Sequence, residues 1–195
     1  MRDYGPSVHF DKPAFVHETV EIFGNARFAE GSSIWPRAVI RAEDHENVVG
    51  PYSNIQDFVL IHVGYDHGNR IGAHCSIAHH VSLHGCIIGD NCLIGINATV
   101  MDGAVIGDNC IVAGHTIVAA GSQIPANSIV AGVPGAVVKT RNNYVDNRMN
   151  AFSYHYNALS YARGDHRAWA SEAYQTAWDA ERARLEAEMA ALDAG

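Results

Sequence analysis

An aliphatic residue returns every six positions through most of this 195-residue chain, and no other feature constrains the fold as tightly. The series runs Val16, Ile22, Phe28, Ile34, Ile40, resumes at Val49, Ile55, Ile61, then Ile71, Ile77, Leu83, and ends Ile88, Ile94, Val100, Ile106, Val112, Val118, Ile124, Val130. A unit of six residues cannot bury its own apolar side, so successive units must stack to make a core. Gly or Ala often follows the aliphatic residue, as in Ile88-Gly89-Asp90-Asn91-Cys92-Leu93 and Ile106-Gly107-Asp108-Asn109-Cys110-Ile111. Two long steps, Ile40 to Val49 and Ile61 to Ile71, predict loops at residues 44–47 and 64–69, while the short step from Leu83 to Ile88 tightens a corner.

The pattern resembles the hexapeptide repeat. That resemblance implies an all-β core, a left-handed parallel β-helix with three hexads per coil and about six coils. Strands of adjacent coils lie roughly 4.8 Å apart, with the aliphatic residue inside and the next residue outside. After Pro134-Gly135 the period stops, and from about Asn142 the composition shifts to Ala, Glu, Arg and Tyr. We expect a β-helix domain over 1–140 and a helical extension over 141–195. In the extension, a shorter helix spans residues 149–162, Gly164 breaks it, and Asp165 caps a second helix through Trp169, Tyr174, Trp178 and Leu185. The Tyr and Trp residues at helical spacing form a packing face, and residues 181–194 are solvated or frayed. Asp90 and Asp108, each between Ile-Gly and Asn, close corners by bonding backbone N–H groups.

Composition excludes several partners. Lys and Arg number 13 against 21 Asp and Glu, for a net charge of −8 and no basic run that could track phosphates, so no nucleic acid is expected. The start Met1-Arg2-Asp3-Tyr4-Gly5-Pro6 has no apolar signal core. No stretch approaches about 18 uninterrupted apolar residues, so the expected location is cytoplasmic, with no membrane partner. Cys75, Cys86, Cys92 and Cys110 form no C-x-x-C pair and read as reduced core thiols. Charged residues are only 17% of the chain, against roughly 25% in ordinary soluble domains, which points to surface covered by other subunits.

Histidine is the outlier: of 12 in the chain, His62, His67, His74, His79, His80 and His84 crowd into one short stretch. Hexads beginning at Ile40, Ile61 and Leu83 share one face, and those beginning at Ile55 and Ile77 share another. Arg41, His62 and His84 each follow the inward residue, so they project outward in one column over consecutive coils. Two imidazoles on strands about 4.8 Å apart can reach one metal at bonds of roughly 2.0–2.1 Å. His79 stacks over Asp57 on the neighbouring face, so a third imidazole has to come from another subunit in a threefold assembly. Three histidines and a water make the open arrangement of catalytic zinc. The alternative is three outward polar residues at a subunit contact, and His74, His80 and His115 read as packing positions.

At these residues the sequence resembles the γ-class carbonic anhydrase family. The carrying stretches are Ile40-Arg41-Ala42-Glu43, Asn54-Ile55-Gln56-Asp57 followed by Ile61-His62-Val63, His79-His80-Val81-Ser82-Leu83-His84-Gly85-Cys86-Ile87-Ile88-Gly89-Asp90, and Ile94-Gly95-Ile96-Asn97-Ala98-Thr99-Val100-Met101-Asp102-Gly103-Ala104. The resemblance covers about residues 10–140 and implies a homotrimer that hydrates CO2 reversibly to bicarbonate. It puts the metal ligands on His62, His79 and His84, with His79 from the adjacent subunit, and Zn2+ as the metal, Fe2+ or Co2+ taking its place. It puts Arg41 in an intersubunit ion pair, adds Asn54 and Asp57 to the site, and gives Gln56 the role of holding the attacking hydroxide. Two departures stand out: Glu43 replaces the family's Asp after the Arg, and the loop that carries a proton shuttle is short, Val63-Gly64-Tyr65-Asp66-His67-Gly68. Asp66 or His67 is either an exposed loop group or the replacement shuttle. Rival readings are an acyl-CoA-dependent acyltransferase or thioesterase on the same fold, and a metal-binding scaffold without activity.

Overall fold

In the computed structural model, which describes residues 3–193, the hexads stack into a mostly parallel β-helix of about seven turns followed by two helices. The inward column of the first face pairs Ile40 with Ile61, Ile61 with Leu83, Leu83 with Val100 and Val100 with Val118. The second face pairs Val49 with Ile71, Ile71 with Ile88, Ile88 with Ile106 and Ile106 with Ile124. The third runs Val16, Ile34, Ile55, Ile77, Ile94, Val112, Val130, and the antiparallel strand Ala136–Thr140 covers its end. These side chains fill one continuous core in which Ile40, Ile61, Ile77, Ile94 and Val112 are wholly buried. Cys75, Cys92 and Cys110 are free and buried in that same core.

The long step after Ile40 is not a loop at residues 44–47. One strand, Val39–Val49, turns the corner and belongs to two faces, and only residues 43–45 bulge out of its pairing with Glu21–Phe28. Asn47 is the reason: buried in the ladder opposite Asn69, it donates its amide to the Arg41 carbonyl at 2.8 Å and so satisfies the backbone at the kink. Asn69 repeats the device one coil on, donating to the His62 carbonyl at 2.9 Å and to Asn47 Oδ1 at 2.7 Å. At the short step after Leu83, Gly85 takes φ +55°, and a Cβ there would lie 2.9 Å from the Gly64 backbone.

Asp90 and Asp108 bond backbone N–H groups as expected, but between coils rather than within one corner. Asp90 accepts from Ala73 at 2.7 Å and Asp108 accepts from Asp90 at 2.8 Å. Asp90→Ala should therefore lower stability by about 1–2 kcal/mol, read as a lower urea midpoint with an unchanged slope.

Helix α1, Tyr144–Tyr161, starts earlier than the 149–162 expected because Asn147 is buried against the β-helix, donating to the Asn91 and Cys110 carbonyls at 2.8 and 3.1 Å. Gly164, at φ +79°, ends this segment. The second cap is corrected: Asp165 accepts from the Arg167 N–H at 2.9 Å in the turn, Trp169 sits in the short 3-10 turn Ala168–Ala170, and Ser171 caps α2, Glu172–Asp193, by accepting from the Tyr174 N–H. The expectation that residues 181–194 are solvated fails at Leu185, which is fully buried against Val145 and Met149 of α1; residues 194 and 195 lie outside the described residues. Trp35 packs edge-on against Tyr154 and Tyr161, which seats α1 on the third face. Among the described residues no helix is long and apolar enough to cross a membrane.

Candidate metal centre

The register sets Arg41, His62 and His84 side by side on three adjacent strands, each directly after an inward aliphatic residue. His84 Nδ1 lies 2.8 Å from Asp102 Oδ2, and His62 Nε2 lies 3.2 Å from Glu43 Oε2. A carboxylate can only accept, so both of these ring nitrogens carry the proton. In the neutral imidazoles the other two nitrogens, His62 Nδ1 and His84 Nε2, then present lone pairs to each other, and they are 3.1 Å apart. A contact of that length is made either by a proton shared as a hydrogen bond or by a metal cation between the two nitrogens. Two nitrogens bound tetrahedrally at roughly 2.0–2.1 Å would be about 3.3 Å apart, so the pair fits a divalent metal of that kind.

Within the chain Arg41 Nε donates to Glu43 Oε1 at 3.0 Å, and this bond is the main cause holding the Glu43 carboxyl below its ordinary range. Glu43 therefore bridges Arg41 and His62.

The remaining site residues occupy the third face and its corner. His79 Nδ1 lies 3.0 Å from Asp57 Oδ2, the stacking read from the hexad count, and its Nε2 lies 3.3 Å from the hydroxyl of Tyr154 on α1. Burial, with Asp57 next, pushes the Tyr154 phenol up to about 12, so it stays protonated. Gln56 is buried and donates to Asn54 Oδ1 at 2.9 Å, and Asn54 donates in turn to Ser76 Oγ at 3.0 Å. Asp66 lines a cavity of about 430 Å3 with His45, His67 and Arg70, and Gly85, the residue after His84, is on the same wall. Among the described residues no three His, Cys, Asp or Glu side chains come together as a metal-holding group. One chain thus carries two partial sets: His62 and His84 on one face, His79 with Asn54, Gln56 and Asp57 at another.

Two partners escaped the sequence reading. Asp102 follows the first-face strand Thr99–Val100 one coil beyond His84, a position the hexad count could have assigned. Tyr154 lies outside the repeat, and nothing in the period places α1 against His79.

Residues 85–120 match the bacterial transferase hexapeptide (six repeats) family model. A Methanocaldococcus jannaschii protein described as a probable carbonic anhydrase is 47% identical over 135 residues, 68% of this chain and 85% of that protein. The chain belongs to the γ-class carbonic anhydrase family. The mitochondrial γ carbonic anhydrase 1 of Arabidopsis thaliana is 39% identical over 98 residues, 47% of this chain but only 36% of that protein. Among solved structures, a hexapeptide transferase family protein from Anaplasma phagocytophilum superposes with a TM-score of 0.64 at 25% identity, over 80% of this chain and 96% of that one. The family is generally metal-dependent.

Proposed function

We propose that this protein hydrates CO2 reversibly to bicarbonate at a metal gripped by His62 and His84 of one subunit and His79 of the next in a homotrimer. The observation that carries this reading is the pair of imidazole nitrogens 3.1 Å apart, each fixed from behind by a carboxylate. Hexapeptide β-helix proteins of this family typically assemble as trimers, and the proposed centre requires a ring in which one subunit's first face meets its neighbour's corner. The metal is Zn2+, with Fe2+ or Co2+ able to use the same imidazoles.

When bound, the ion supplies Lewis acidity that brings the pKa of a water near 7. The chain's own residues do the rest. Asp102 and Glu43 hold the tautomers of His84 and His62, and Asp57 holds that of His79. Gln56 has one amide hydrogen engaged by Asn54, leaving its carbonyl oxygen to orient the attacking oxygen. Arg41 places positive charge beside the pair, where bicarbonate forms. Asp66, in its exposed turn, takes the proton outward. Four free, buried cysteines support a reducing compartment such as the cytosol.

Asp102→Asn should weaken metal affinity about 10–100-fold, seen by competition with a chelator, while leaving the fold intact. The test of the function is metal analysis and stopped-flow CO2 hydration on one purified sample. Hydration that rises with pH, disappears on chelation and speeds up with added imidazole buffer supports the reading. Metal-replete protein without hydration at high pH in imidazole overturns it, and turnover of an acyl-CoA by that sample would favour acyl transfer instead.

A further inference from the structure

Where the helices meet the β-helix edge, a small cavity of about 160 Å3 lies between Tyr52 and His74 of the coils, Arg148, Phe152 and His155 of α1, and Glu181 of α2. It is remote in the fold from the first-face histidines and plays no part in the function proposed above. Its walls are ordered by aromatic contacts: Tyr52 stacks on His74 at 5.2 Å with rings nearly parallel, and His155 meets Tyr52 edge-on at 5.1 Å.

The polar groups around this space are only partly used. Arg148 is half-buried and lies over the Tyr144 ring, yet among the described residues it has no carboxylate within ion-pair range and no hydrogen bond. Glu181, the carboxylate on the same cavity, is already taken: Arg184 binds both of its oxygens, at 2.7 and 2.9 Å. His155 donates Nδ1 to the Gly31 carbonyl at 3.1 Å, and a ring with that single proton presents Nε2 as an acceptor with no partner among the described residues. His74 is uncharged: burial first and then the Arg148 charge pull it down to about 4, against the opposing pull of Asp90 and Glu181. The cavity therefore offers a guanidinium fork whose N–H donors are unused and whose charge Glu181 meets only across the space, a hydrogen-bond acceptor and a neutral imidazole.

We propose that this cavity binds a small oxyanion that carries a hydroxyl, bicarbonate or hydrogen phosphate, with Arg148 on its charged oxygens and His155 Nε2 accepting from its O–H. The guanidinium matches planar or tetrahedral oxyanions through paired N–H donors. The hydroxyl requirement separates these ions from nitrate, which has charge and shape but nothing to donate. The volume admits an ion of four or five heavy atoms and excludes nucleotide-sized ligands, which occupy pockets of about 300–1,000 Å3.

The test is a titration of the full chain with sodium bicarbonate, inorganic phosphate or nitrate at constant pH and ionic strength, following the assigned ring signals of His74 and His155 by NMR. Saturable shifts with bicarbonate and phosphate are expected, with nitrate at least about tenfold weaker. The tighter of the two binders identifies the source of the natural occupant, reaction product or free phosphate, and either result supports the site. Arg148→Gln should abolish saturation; Arg148→Lys, which keeps the charge and loses the fork, should fall between, and it carries the test if the first variant does not fold. His84→Ala should bind as the parent does, which keeps this proposal separate from the metal centre. Unsaturated shifts in the parent, equal binding of nitrate, unchanged affinity in both Arg148 variants, or loss of binding in His84→Ala would each overturn it.

Discussion

Ile106→Asp is expected to leave no soluble folded protein. Ile106 is 1% exposed and stands in the second-face column between Ile88 and Ile124, with a strand ladder on either side. Truncation alone at such a site costs about 2–5 kcal/mol, and a carboxylate has no cation or donor there to meet it, which adds several kcal/mol more. A domain stable by about 5–15 kcal/mol does not survive both. In a solenoid the loss spreads, because each coil is covered only by its neighbours. Size-exclusion chromatography and circular dichroism would show aggregate or unfolded chain, and a normal melting temperature would mean that Ile106 does not face inward.

His84→Ala is the second large effect, and it acts on chemistry rather than folding. His84 is outward-facing, with its side chain 36% exposed, so its removal should change the melting temperature little. It leaves His62 Nδ1 without its facing nitrogen and Asp102 without its proton donor. Outer partners of metal ligands already cost about 10–100-fold when removed, so loss of His84, a ligand in the proposed centre, should lower both metal retention and hydration by more than that. Stopped-flow measurement at saturating metal separates the two: a rate that recovers fully with excess metal would mean His84 serves assembly rather than the centre.

The first-face column was legible because a strict period converts position into direction: once Ile40, Ile61 and Leu83 share a face, Arg41, His62 and His84 must point outward together. The same count put His79 over Asp57. It could not see what replaces backbone pairing where the count breaks. Asn47 and Asn69 use side-chain amides to carry the chain round the corner, so a stretch read as loop is strand, and a hexad count has no means to register an amide that substitutes for a turn. Outside the repeat the signals weaken further. Asp165 and Ser171 are both good caps by residue type, and only the packing of Trp169, whose indole donates to the Ser153 carbonyl at 3.0 Å, decides between them. Tyr154 reaches His79 through helix docking, a long-range contact with no local pattern.

The proposed intersubunit centre is tested most directly by CO2 hydration in a mixed oligomer. His79→Ala and His84→Ala chains are unfolded together in equal amounts, refolded and supplied with zinc, beside each variant alone. A complete centre then needs an intact His84 on one subunit and an intact His79 on the next, so random assembly restores about a quarter of the sites, and hydration should return to about that fraction of the parent rate while each variant alone stays inactive. A mixture no more active than its separate components would contradict a centre built from two subunits.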